Sequence, residues 1–282
     1  MNQLGWIGLG NMGIPMAVQL INAGYPLRVY NRSKEKKSAL KGMGAEWAET
    51  PFALIRNADV VFVMVSDDRA IQDVFTGENG LLSEPVSGKI IVNMSTVSPE
   101  ISRQMAALCK ESGNSYLDAP VSGSVKQAET AQLVIMAGGE EVVFEQMKPI
   151  LEKMGKLAIR VGENGAGSSL KLAVNSILAL YTQGLAETVL FANQQGIKTE
   201  DLLTVINNAA IGNTFTKIKG DAILQDNYKA AFALKHIVKD LRLAKAEGLN
   251  YPLAQTALKS FEAAEEVYGN DDFISIINQL RE

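Results

Sequence analysis

Cysteine and histidine are almost absent from this sequence, and each scarcity excludes a class of chemistry. The single cysteine, Cys109, cannot form an internal disulfide, and no CxxC pair or Cys/His cluster is present to hold a metal. The single histidine, His236, nearly excludes a Ser-His-Asp triad, because no second imidazole is available. We therefore expect no bound metal, a reducing cytoplasmic setting, and a core position for Cys109.

A strong charge of one sign and a long apolar run are missing as well. The chain has 27 basic and 31 acidic residues, a net charge of -4 and a pI near 5.3, which argues against a nucleic-acid partner but leaves small anions possible. No apolar run reaches the roughly 18 residues of a membrane span. No basic segment precedes the first strand-like run, so we expect neither a secretory signal nor a membrane partner.

The chain of 282 residues is long enough for two domains. Up to about residue 162, short β-rich runs alternate with helical patterns, which is typical of a parallel sheet covered by helices. The β-rich runs are LGWIG, LRVY, DVVFVMV, KIIVNMS, SYLDAP, QLVIMAGG and KLAIRVG. From Gly165 onward only helical patterns follow, the first running from 167 to about 195. The sequence thus predicts an α/β domain over residues 1–162, with a mostly parallel sheet, joined by a long helix to an all-α domain over residues 163–282.

A glycine-rich turn follows the first predicted strand, in WIGLGNMGIPMAVQLINAGY. Its GxGxxG pattern allows a tight turn, a close approach of the backbone to a pyrophosphate, and close packing of the next helix on the sheet. The N-terminus of that helix supplies unpaired N–H groups and the positive end of a dipole. Because the pattern opens a βαβ unit, it favours a Rossmann-type dinucleotide site over a structural glycine turn. The predicted contacts are Gly8, Leu9, Gly10, Asn11, Met12 and Gly13.

The residues that follow the second strand, in LRVYNRS, distinguish the two nicotinamide cofactors. An acidic residue here would bind the ribose 2′-hydroxyl of NAD, but the chain has Asn31, Arg32 and Ser33. The guanidinium of Arg32 can clamp a 2′-phosphate and stack on adenine, so NADP(H) is favoured. The alternative is a solvated charge run that opens a helix, which suits Lys36 and Lys37 better than Arg32.

One lysine stands in the otherwise small or apolar stretch GSSLKLAVNSILAL. At 3.6 residues per turn this stretch forms a helix that is apolar on most sides, which predicts burial. Ser168, Lys171, Asn175 and Thr182 share one face, which Leu178 interrupts. A buried ammonium group is costly unless it is paired or functional. Either this face meets water, or Lys171 has a chemical role.

Four motifs stand in one order along the chain: GLGNMG, DAPVSGS, GENGAGSSLKLAVN and FALKHIVKDLRLA. Together they resemble the β-hydroxyacid dehydrogenase family over the whole chain. Many members have Gly-Gly where this chain has Gly123-Ser124, and the serine form followed by QAETAQL is more similar to the glyoxylate and succinic semialdehyde reductase branch. The resemblance implies that a small carboxylate-bearing aldehyde is reduced to its hydroxyacid with NADPH, in a homodimer or homotetramer.

The Ser/Gly turn after SYLDAP is the candidate substrate site. Ser122, Gly123 and Ser124 are expected at the carboxyl end of a parallel strand, where open α/β sheets bind ligands, and the resemblance implies that they hold the substrate's acid group. An ordinary helix N-cap by Ser122 or Ser124 is the alternative. The resemblance also places Thr96 against the nicotinamide; a helix cap is its alternative role, for which Ser98 is the better candidate.

Lys171 and Asn175 gain a role in this setting. Aldehyde reduction needs a hydride at carbon, which the cofactor supplies, and a proton at oxygen, which a protein acid supplies. Burial and the positive end of the helix dipole both favour the neutral amine of Lys171, which suits acid-base chemistry near neutrality. Asn175, one turn further on, is expected to hydrogen-bond the lysine or the substrate oxygen.

The resemblance implies further contacts elsewhere in the chain. Those to the cofactor at the end of DVVFVMV are Met64, Val65 and Ser66. In FALKHIVKDLRLA, Lys239 would reach the cofactor and Asp240 would support the substrate site, while Phe232 would shape the pocket. His236 lies between these positions, and we expect it in helix packing or at the surface.

Three rival functions stay open. A 3-hydroxyisobutyrate dehydrogenase or a related oxidising member, usually NAD-linked, is disfavoured by the missing acidic residue after the second strand. Imine reductases share the scaffold but typically lack a lysine at the position of Lys171. A non-catalytic dinucleotide-binding or chromatin-reading module is disfavoured by the complete set of site residues and by the acidic net charge.

Overall fold

A computed structural model describes residues 3–38 and 40–281 of the chain. Its contacts divide the chain into two compact units, Met1–Lys171 and Leu172–Glu282. This division falls inside a long helix, whereas residue 162 ends the last strand. The domain boundary expected at 162/163 therefore stays a prediction.

The first unit alternates strands and helices. Its strands are β1 (Leu4–Ile7), β2 (Leu27–Tyr30), β3 (Glu46–Trp47), β4 (Val60–Val63), β5 (Ile90–Asn93), β6 (Ser115–Asp118), β7 (Val121–Ser122), β8 (Leu133–Gly138) and β9 (Gly155–Gly162). Its helices are α1 (Gly13–Asn22), α2 (Pro51–Ile55), α3 (Asp68–Thr76), α4 (Pro99–Glu111), α5 (Val125–Glu129) and α6 (Glu141–Leu151). Short 3-10 helices lie at Lys34–Ser38 and Lys41–Met43. The predicted Rossmann-type α/β fold is confirmed.

The strands of the first unit form one sheet in the order β3-β2-β1-β4-β5-β6-β8-β7, with β9 paired to β8. Strands β1 to β6 pair in parallel, and one row across them contains Tyr30, Ile7, Val63, Asn93 and Asp118. Each of these five residues ends its strand, so the loops that follow leave the sheet at one carboxyl edge. Open α/β sheets bind their ligands at this edge.

Helices cover both faces of the sheet, and the strand side chains alternate between two cores. One core contains Trp6 and Phe62, stacked at 5.6 Å between ring centroids, and packs against α1, α5 and α6. The other contains Val61 and Val63 and packs against α2, α3 and α4. Because β4 and β5 are covered on both sides, they are buried at every position, as their nearly unbroken apolar runs predict.

Local signals determine where several helices begin. The side chains of Thr50 and Ser98 each accept a hydrogen bond of 3.0 Å from the N–H three residues on, at Ala53 and Ile101, and a proline follows each cap. Such caps satisfy N–H groups that have no partner within the first turn. The cap of α4 is therefore Ser98 and not Thr96, as the sequence predicts.

The sheet differs from the sequence prediction around β7. The prediction that Ser122 ends a parallel strand is wrong, because the parallel strand β6 ends at Asp118 and Ser122 pairs with Val134 of the antiparallel strand β8. Pro120 has no N–H for a ladder hydrogen bond and stands between β6 and β7. Both β3 and β7 have two residues, too few to show a strand period in the sequence.

The second unit is helical, with one isolated bridge, between Ala233 and Asp272, among its described residues. Its helices are α7 (Ala166–Gln194), which begins in the first unit, α8 (Thr199–Asn208), α9 (Thr214–Leu224), α10 (Leu234–Ala246), α11 (Pro252–Tyr268) and α12 (Ile276–Gln279), with a 3-10 helix at Phe273–Ser275. The predicted long helix is α7, and the all-α character is confirmed. Within residues 3–38 and 40–281, no helix combines the length and apolarity that a membrane crossing requires.

A buried ion pair joins separate segments of the second unit. Lys219 Nζ on α9 lies 2.6 Å from Asp272 Oδ1, and both residues are less than 10% exposed. Asp272 Oδ2 accepts hydrogen bonds from the N–H groups of Ala231 at 3.1 Å and Phe232 at 3.3 Å. The ammonium group also lies 4.3 Å from the ring centroid of Phe273. The pair thus connects α9 to the segment that leads into α10.

Candidate functional site

The glycine-rich loop joins β1 to α1 at the carboxyl edge of the sheet. Gly8 has a φ of +101°, and a Cβ there would lie 1.9 Å from the carbonyl oxygen of Met64. A Cβ on Gly13 would lie 2.0 Å from the carbonyl oxygen of Gly8. The fold itself therefore requires glycine at both positions.

Gly10 differs from these glycines because it is exposed, and a Cβ on it would meet none of the described atoms within 4 Å. The fold leaves open space at this point, beside the start of α1. Within the described part of the chain, the N-cap residue of α1, Met12, makes no side-chain capping hydrogen bond to the first turn. An open cradle at a helix N-terminus suits a pyrophosphate, so the loop fits the dinucleotide that its motif predicts.

Two side chains hold the loop in shape. The indole Nε1–H of Trp6 donates to the carbonyl oxygen of Gly8 at 2.9 Å. Asn31 Oδ1 accepts from the N–H of Leu9 at 2.9 Å, and Asn31 Nδ2 donates to the carbonyl oxygen of Ser33 at 3.1 Å. Asn31 thus links the ends of β1 and β2, a role that sequence reasoning missed. Its direct contact with the cofactor stays a prediction.

Arg32 and Ser33 follow Asn31 at the same edge, and both are exposed. Two residues after Arg32, Lys34 pairs with Glu49 at 3.4 Å between Nζ and Oε2. An exposed guanidinium at the ligand-binding edge is accessible to an anionic group. This position is compatible with the predicted contact between Arg32 and a 2′-phosphate.

The loops after β4 and β5 are tied together by Ser95. Its Oγ accepts from the N–H of Val65 at 2.9 Å, and its own N–H donates to Asn93 Oδ1 at 3.0 Å. The predicted cofactor contacts Met64–Ser66 and Thr96 therefore lie on neighbouring loops at the carboxyl edge of the first unit. Their contact with the cofactor stays a prediction.

The turn Ser122-Gly123-Ser124 joins β7 to α5. Gly123 has a φ of +143°, and a Cβ there would lie 2.7 Å from Leu133 Cδ2. Ser124 precedes α5, and Gln127 Oε1 accepts from its N–H at 2.9 Å and from its Oγ at 2.5 Å. The hydroxyl of Ser124 thus takes part in the helix start, the alternative that the sequence left open. Ser122 is half-buried, and the substrate contacts of all three residues stay predictions.

Asp118, the last residue of β6, is a buried carboxyl group that sequence reasoning did not single out. Its Oδ1 accepts from the N–H of Gly165 at 2.7 Å, and its Oδ2 accepts from the N–H of Ser168 at 2.8 Å. Burial raises the pKa of Asp118 to about 6, and the two backbone hydrogen bonds oppose this rise. The available signals were the acid in DAPVSGS and the glycines in GENGAGS.

Lys171 lies in the second turn of α7 and is 8% exposed. The reading in which the polar face of this helix meets water is wrong, because Ser168, Asn175 and Thr182 are also buried. By contrast, Ile177 on the apolar side is 52% exposed. The polar face is buried because its groups find partners; the Thr182 hydroxyl, for example, donates to a backbone carbonyl at 2.8 Å.

Asp240, on α10, connects two other predicted site residues in the second unit. It is 2% exposed, its Oδ2 accepts from Asn175 Nδ2 at 2.5 Å, and its Oδ1 lies 2.9 Å from Lys239 Nζ. The carboxylate therefore holds the Asn175 amide and the Lys239 ammonium close to each other. Its support of the substrate site and the contact of Lys239 with the cofactor stay predictions.

Phe232 and the two scarce residues of this sequence lie in packed surroundings. The half-buried ring of Phe232 lies 6.1 Å from His236 and 5.6 Å from Phe273, measured between centroids. Burial lowers the pKa of His236, with the Lys239 charge acting in the same direction. His236 thus occupies a packing position.

The other scarce residue, Cys109 on α4, is buried as well. Burial raises the pKa of its thiol to about 12, so this thiol is a core group and not a nucleophile.

Two family models match this chain, and together they span nearly all of it. Residues 3–162 match the model described as the NAD binding domain of 6-phosphogluconate dehydrogenase. Residues 165–280 match the model described as NAD-binding of NADP-dependent 3-hydroxyisobutyrate dehydrogenase.

Named relatives agree with these matches. The chain is 36% identical over 284 residues to glyoxylate/succinic semialdehyde reductase 2, chloroplastic, of Arabidopsis thaliana, covering 99% of this chain and 79% of the relative. It is 36% identical over 263 residues to 2-hydroxy-3-oxopropionate reductase of Escherichia coli, covering 92% and 90%. Among solved structures, 3-hydroxyisobutyrate dehydrogenase of Mycobacterium tuberculosis with L-serine superimposes with a TM-score of 0.90, at 29% identity and 100% coverage of both chains.

Proposed function

This chain belongs to the β-hydroxyacid dehydrogenase family, and we propose that within it the chain uses NADPH to reduce a small aldehyde acid, such as succinic semialdehyde or glyoxylate, to the hydroxyacid. Family membership confirms two predictions: the chain is an oxidoreductase that acts on CH–OH or aldehyde groups, and its cofactor is a nicotinamide dinucleotide, NAD(P)(H). The aldehyde acid, the preference for NADP(H) and the proton donor are the proposed parts.

The observation that carries the proposal is the burial of Lys171 on a helix face with other polar groups. A lysine with 8% exposure is uncommon in a soluble protein unless its ammonium is paired or used in chemistry. Reduction of an aldehyde places a negative charge on oxygen, and a donated proton removes it. In the proposed reaction Lys171 Nζ gives that proton to the carbonyl oxygen, which becomes the hydroxyl of the product.

The residues of the first unit divide the binding of the dinucleotide between them. The open space at Gly10 would receive the pyrophosphate, and the exposed Arg32 would receive the 2′-phosphate. When bound, the reduced nicotinamide supplies the hydride for the aldehyde carbon. Met64–Ser66 and Thr96 would border the nicotinamide end, because their loops share the carboxyl edge with the glycine loop.

The carboxylate of the substrate is assigned to the turn Ser122-Gly123-Ser124. Since Gln127 already binds the Ser124 hydroxyl, Ser122 is the stronger candidate for a side-chain contact. In the second unit, Asp240 orients the Asn175 amide, which is proposed to hold the substrate oxygen in place. Phe232 would limit the size of the aldehyde that is accepted.

The test is a steady-state panel with the purified full chain. We expect the highest kcat/KM with succinic semialdehyde or glyoxylate and NADPH. Lys171→Ala and Lys171→Arg should both lower kcat by about 100-fold or more with an unchanged Kd for NADPH. Alanine removes the proton donor, and arginine keeps the positive charge but does not release a proton. Lys259→Ala, at an exposed lysine on α11, is the matched control and should keep full activity. Turnover that survives in both Lys171 variants would refute the proton-donor assignment.

A second candidate function, the oxidation of 3-hydroxyisobutyrate, is favoured by the match of residues 165–280. That family model is described as NADP-dependent, so the missing acid after β2 does not separate the two functions. The substrate panel does: a kcat/KM with 3-hydroxyisobutyrate and NADP+ above that of every aldehyde acid would establish the second candidate.

Association into a dimer or tetramer is a further part of the proposal. Three large apolar side chains of α7 within the second unit are at least half exposed: Ile177 at 52%, Tyr181 at 50% and Phe191 at 63%. Such exposure is typical of a subunit interface. Light scattering of the purified chain is expected to give a mass of two or four subunits of 30.4 kDa. The expected cytoplasmic location also stays a prediction.

A further inference from the structure

The start of α7 lacks a helix cap of its own. The residue before the helix is Gly165, which has a φ of +94° and no side chain that could accept a hydrogen bond. The N–H of Ala166 donates locally, to the carbonyl oxygen of Glu163 at 2.9 Å, but the N–H groups of Gly165 and Ser168 need an acceptor from another segment. Asp118 supplies it, from a position 47 residues earlier than Gly165 in the sequence.

We propose that Asp118 is a positioning residue for Lys171: its carboxylate holds the first turn of α7, and with it the proton donor one turn further on. The inference rests on the proposed function of Lys171. Both oxygens of Asp118 are used, Oδ1 by Gly165 N–H at 2.7 Å and Oδ2 by Ser168 N–H at 2.8 Å. A neutral cap offers one strong acceptor, whereas a carboxylate accepts both N–H groups at once.

Close packing makes this contact sensitive to small shifts. A Cβ on Gly167 would lie 2.5 Å from the carbonyl oxygen of Asp118 and 2.3 Å from that of Met136. A Cβ on Gly138 would lie 2.7 Å from Asp118 Oδ1. Glycines thus bring the helix backbone directly onto β6 and β8. With no intervening side chain to adjust, a displacement at Asp118 passes straight to the helix.

The link from this contact to Lys171 is short. Ser168 and Lys171 are three residues apart, so they lie on the same side of the helix, one turn from each other. The hydroxyl of Ser168 also lies 2.9 Å from the hydroxyl of Ser102 on α4, which adds a second tie at the same residue. A misplacement of about 1 Å at a reacting group costs up to about 100-fold in rate, so a firm helix start matters for proton transfer.

The chain keeps a charged group here although burial disfavours it. Asp118 is fully buried, and its pKa is raised to about 6 for that reason. A serine or asparagine would cap the helix without the desolvation of a charge. Buried groups with perturbed pKa values cluster at functional sites, which agrees with a positioning role for this carboxyl group.

The experiment is a double-mutant cycle with Asp118→Asn and Lys171→Ala in the full chain. Asp118→Asn alone should lower kcat about 10-fold or more, with KM for the aldehyde and Kd for NADPH changed less than about threefold. In the Lys171→Ala background the same change should alter kcat less than about twofold, because the group that Asp118 positions is already gone. Ser112→Ala removes a side-chain hydrogen bond of 2.9 Å to the Leu108 carbonyl oxygen in the same unit, before the amino end of β6 and so at the opposite edge of the sheet, and should leave kcat unchanged.

The outcomes separate the two claims. Full turnover in Lys171→Ala refutes the proposed function. A low kcat in Lys171→Ala, combined with an Asp118→Asn effect that is absent or equally large in both backgrounds, refutes the positioning role and leaves the proposed function standing. If Asp118→Asn does not fold, Asp118→Ser takes its place in the cycle with the same expected coupling.

Discussion

Replacement of Asp118 by asparagine also tests the burial of this carboxyl group through the pH dependence of stability. The pKa of Asp118 is raised from 3.8 to about 6, chiefly because burial removes the carboxylate from water. Since the folded pKa lies above the unfolded value, the folded state binds this proton more tightly than the unfolded state in the interval between the two. The group therefore destabilises the fold when it is ionised, above about pH 6, and this effect is absent below about pH 4.

The size of the effect follows from the two pKa values, 3.8 and about 6. At about 1.4 kcal/mol per tenfold change in proton affinity, the wild-type chain should lose about 3 kcal/mol relative to Asp118→Asn as the pH rises through this interval. At low pH the protonated carboxyl and the amide have similar hydrogen-bonding capacity, so the two proteins should be similarly stable. Near neutrality the asparagine variant should be the more stable protein, although we expect it to have the lower kcat.

The assay is urea unfolding of both proteins between about pH 4 and pH 8, read as the difference in their free energies of unfolding. Groups that titrate equally in both proteins cancel in this difference. A difference that stays constant within about 0.5 kcal/mol, or that grows in favour of the wild type as the pH rises, would show that burial does not raise the pKa of the Asp118 carboxyl group.

Three further perturbations concern other parts of the molecule. Gly10→Ala should keep the wild-type melting temperature but weaken NADPH binding about 10-fold, because the methyl group would occupy the space expected to receive the pyrophosphate. Gly13→Ala should lower the melting temperature as well, because its Cβ would lie 2.0 Å from a carbonyl oxygen. A fluorescence titration that finds normal NADPH affinity in Gly10→Ala would contradict the assignment of this space to the pyrophosphate. Arg32→Asp should move the ratio of kcat/KM from NADPH toward NADH, and equal use of both cofactors by the wild type would count against the assignment. Lys219→Met should cost about 3–5 kcal/mol in urea unfolding because its buried partner loses a counter-ion, while Lys34→Met, at an exposed pair, should cost less than about 1 kcal/mol; similar small values for both would overturn this distinction.

The glycine loop and the long helix were predictable because their signals are contiguous. GxGxxG needs only the order of six residues, and the periodicity of α7 is carried by its own side chains. The buried strands β4 and β5 were recognisable for the same reason, since their segments are apolar at nearly every position.

Contacts between segments that are distant along the chain have little or no local sequence signature and were not predicted. Asn31 was assigned to the cofactor from its place after β2, but its side-chain hydrogen bond to Leu9 spans 22 residues and has no local signature. Asp118 was overlooked because its partners lie 47 and 50 residues further on. The two-residue strand β7 exists only because β8 lies beside it.

By itself, the sequence determined the fold class, the dinucleotide loop, the long helix and the isolation of Lys171 among apolar residues, because each depends on neighbours along the chain. Tertiary structure alone decided that the polar face of α7 is the buried one, that Asn31 shapes the glycine loop, and that Asp118 and Asp240 hold other polar groups in place. The physical reason is that a buried polar group is stable only where the fold supplies its hydrogen-bond partner, and that partner can come from any part of the chain.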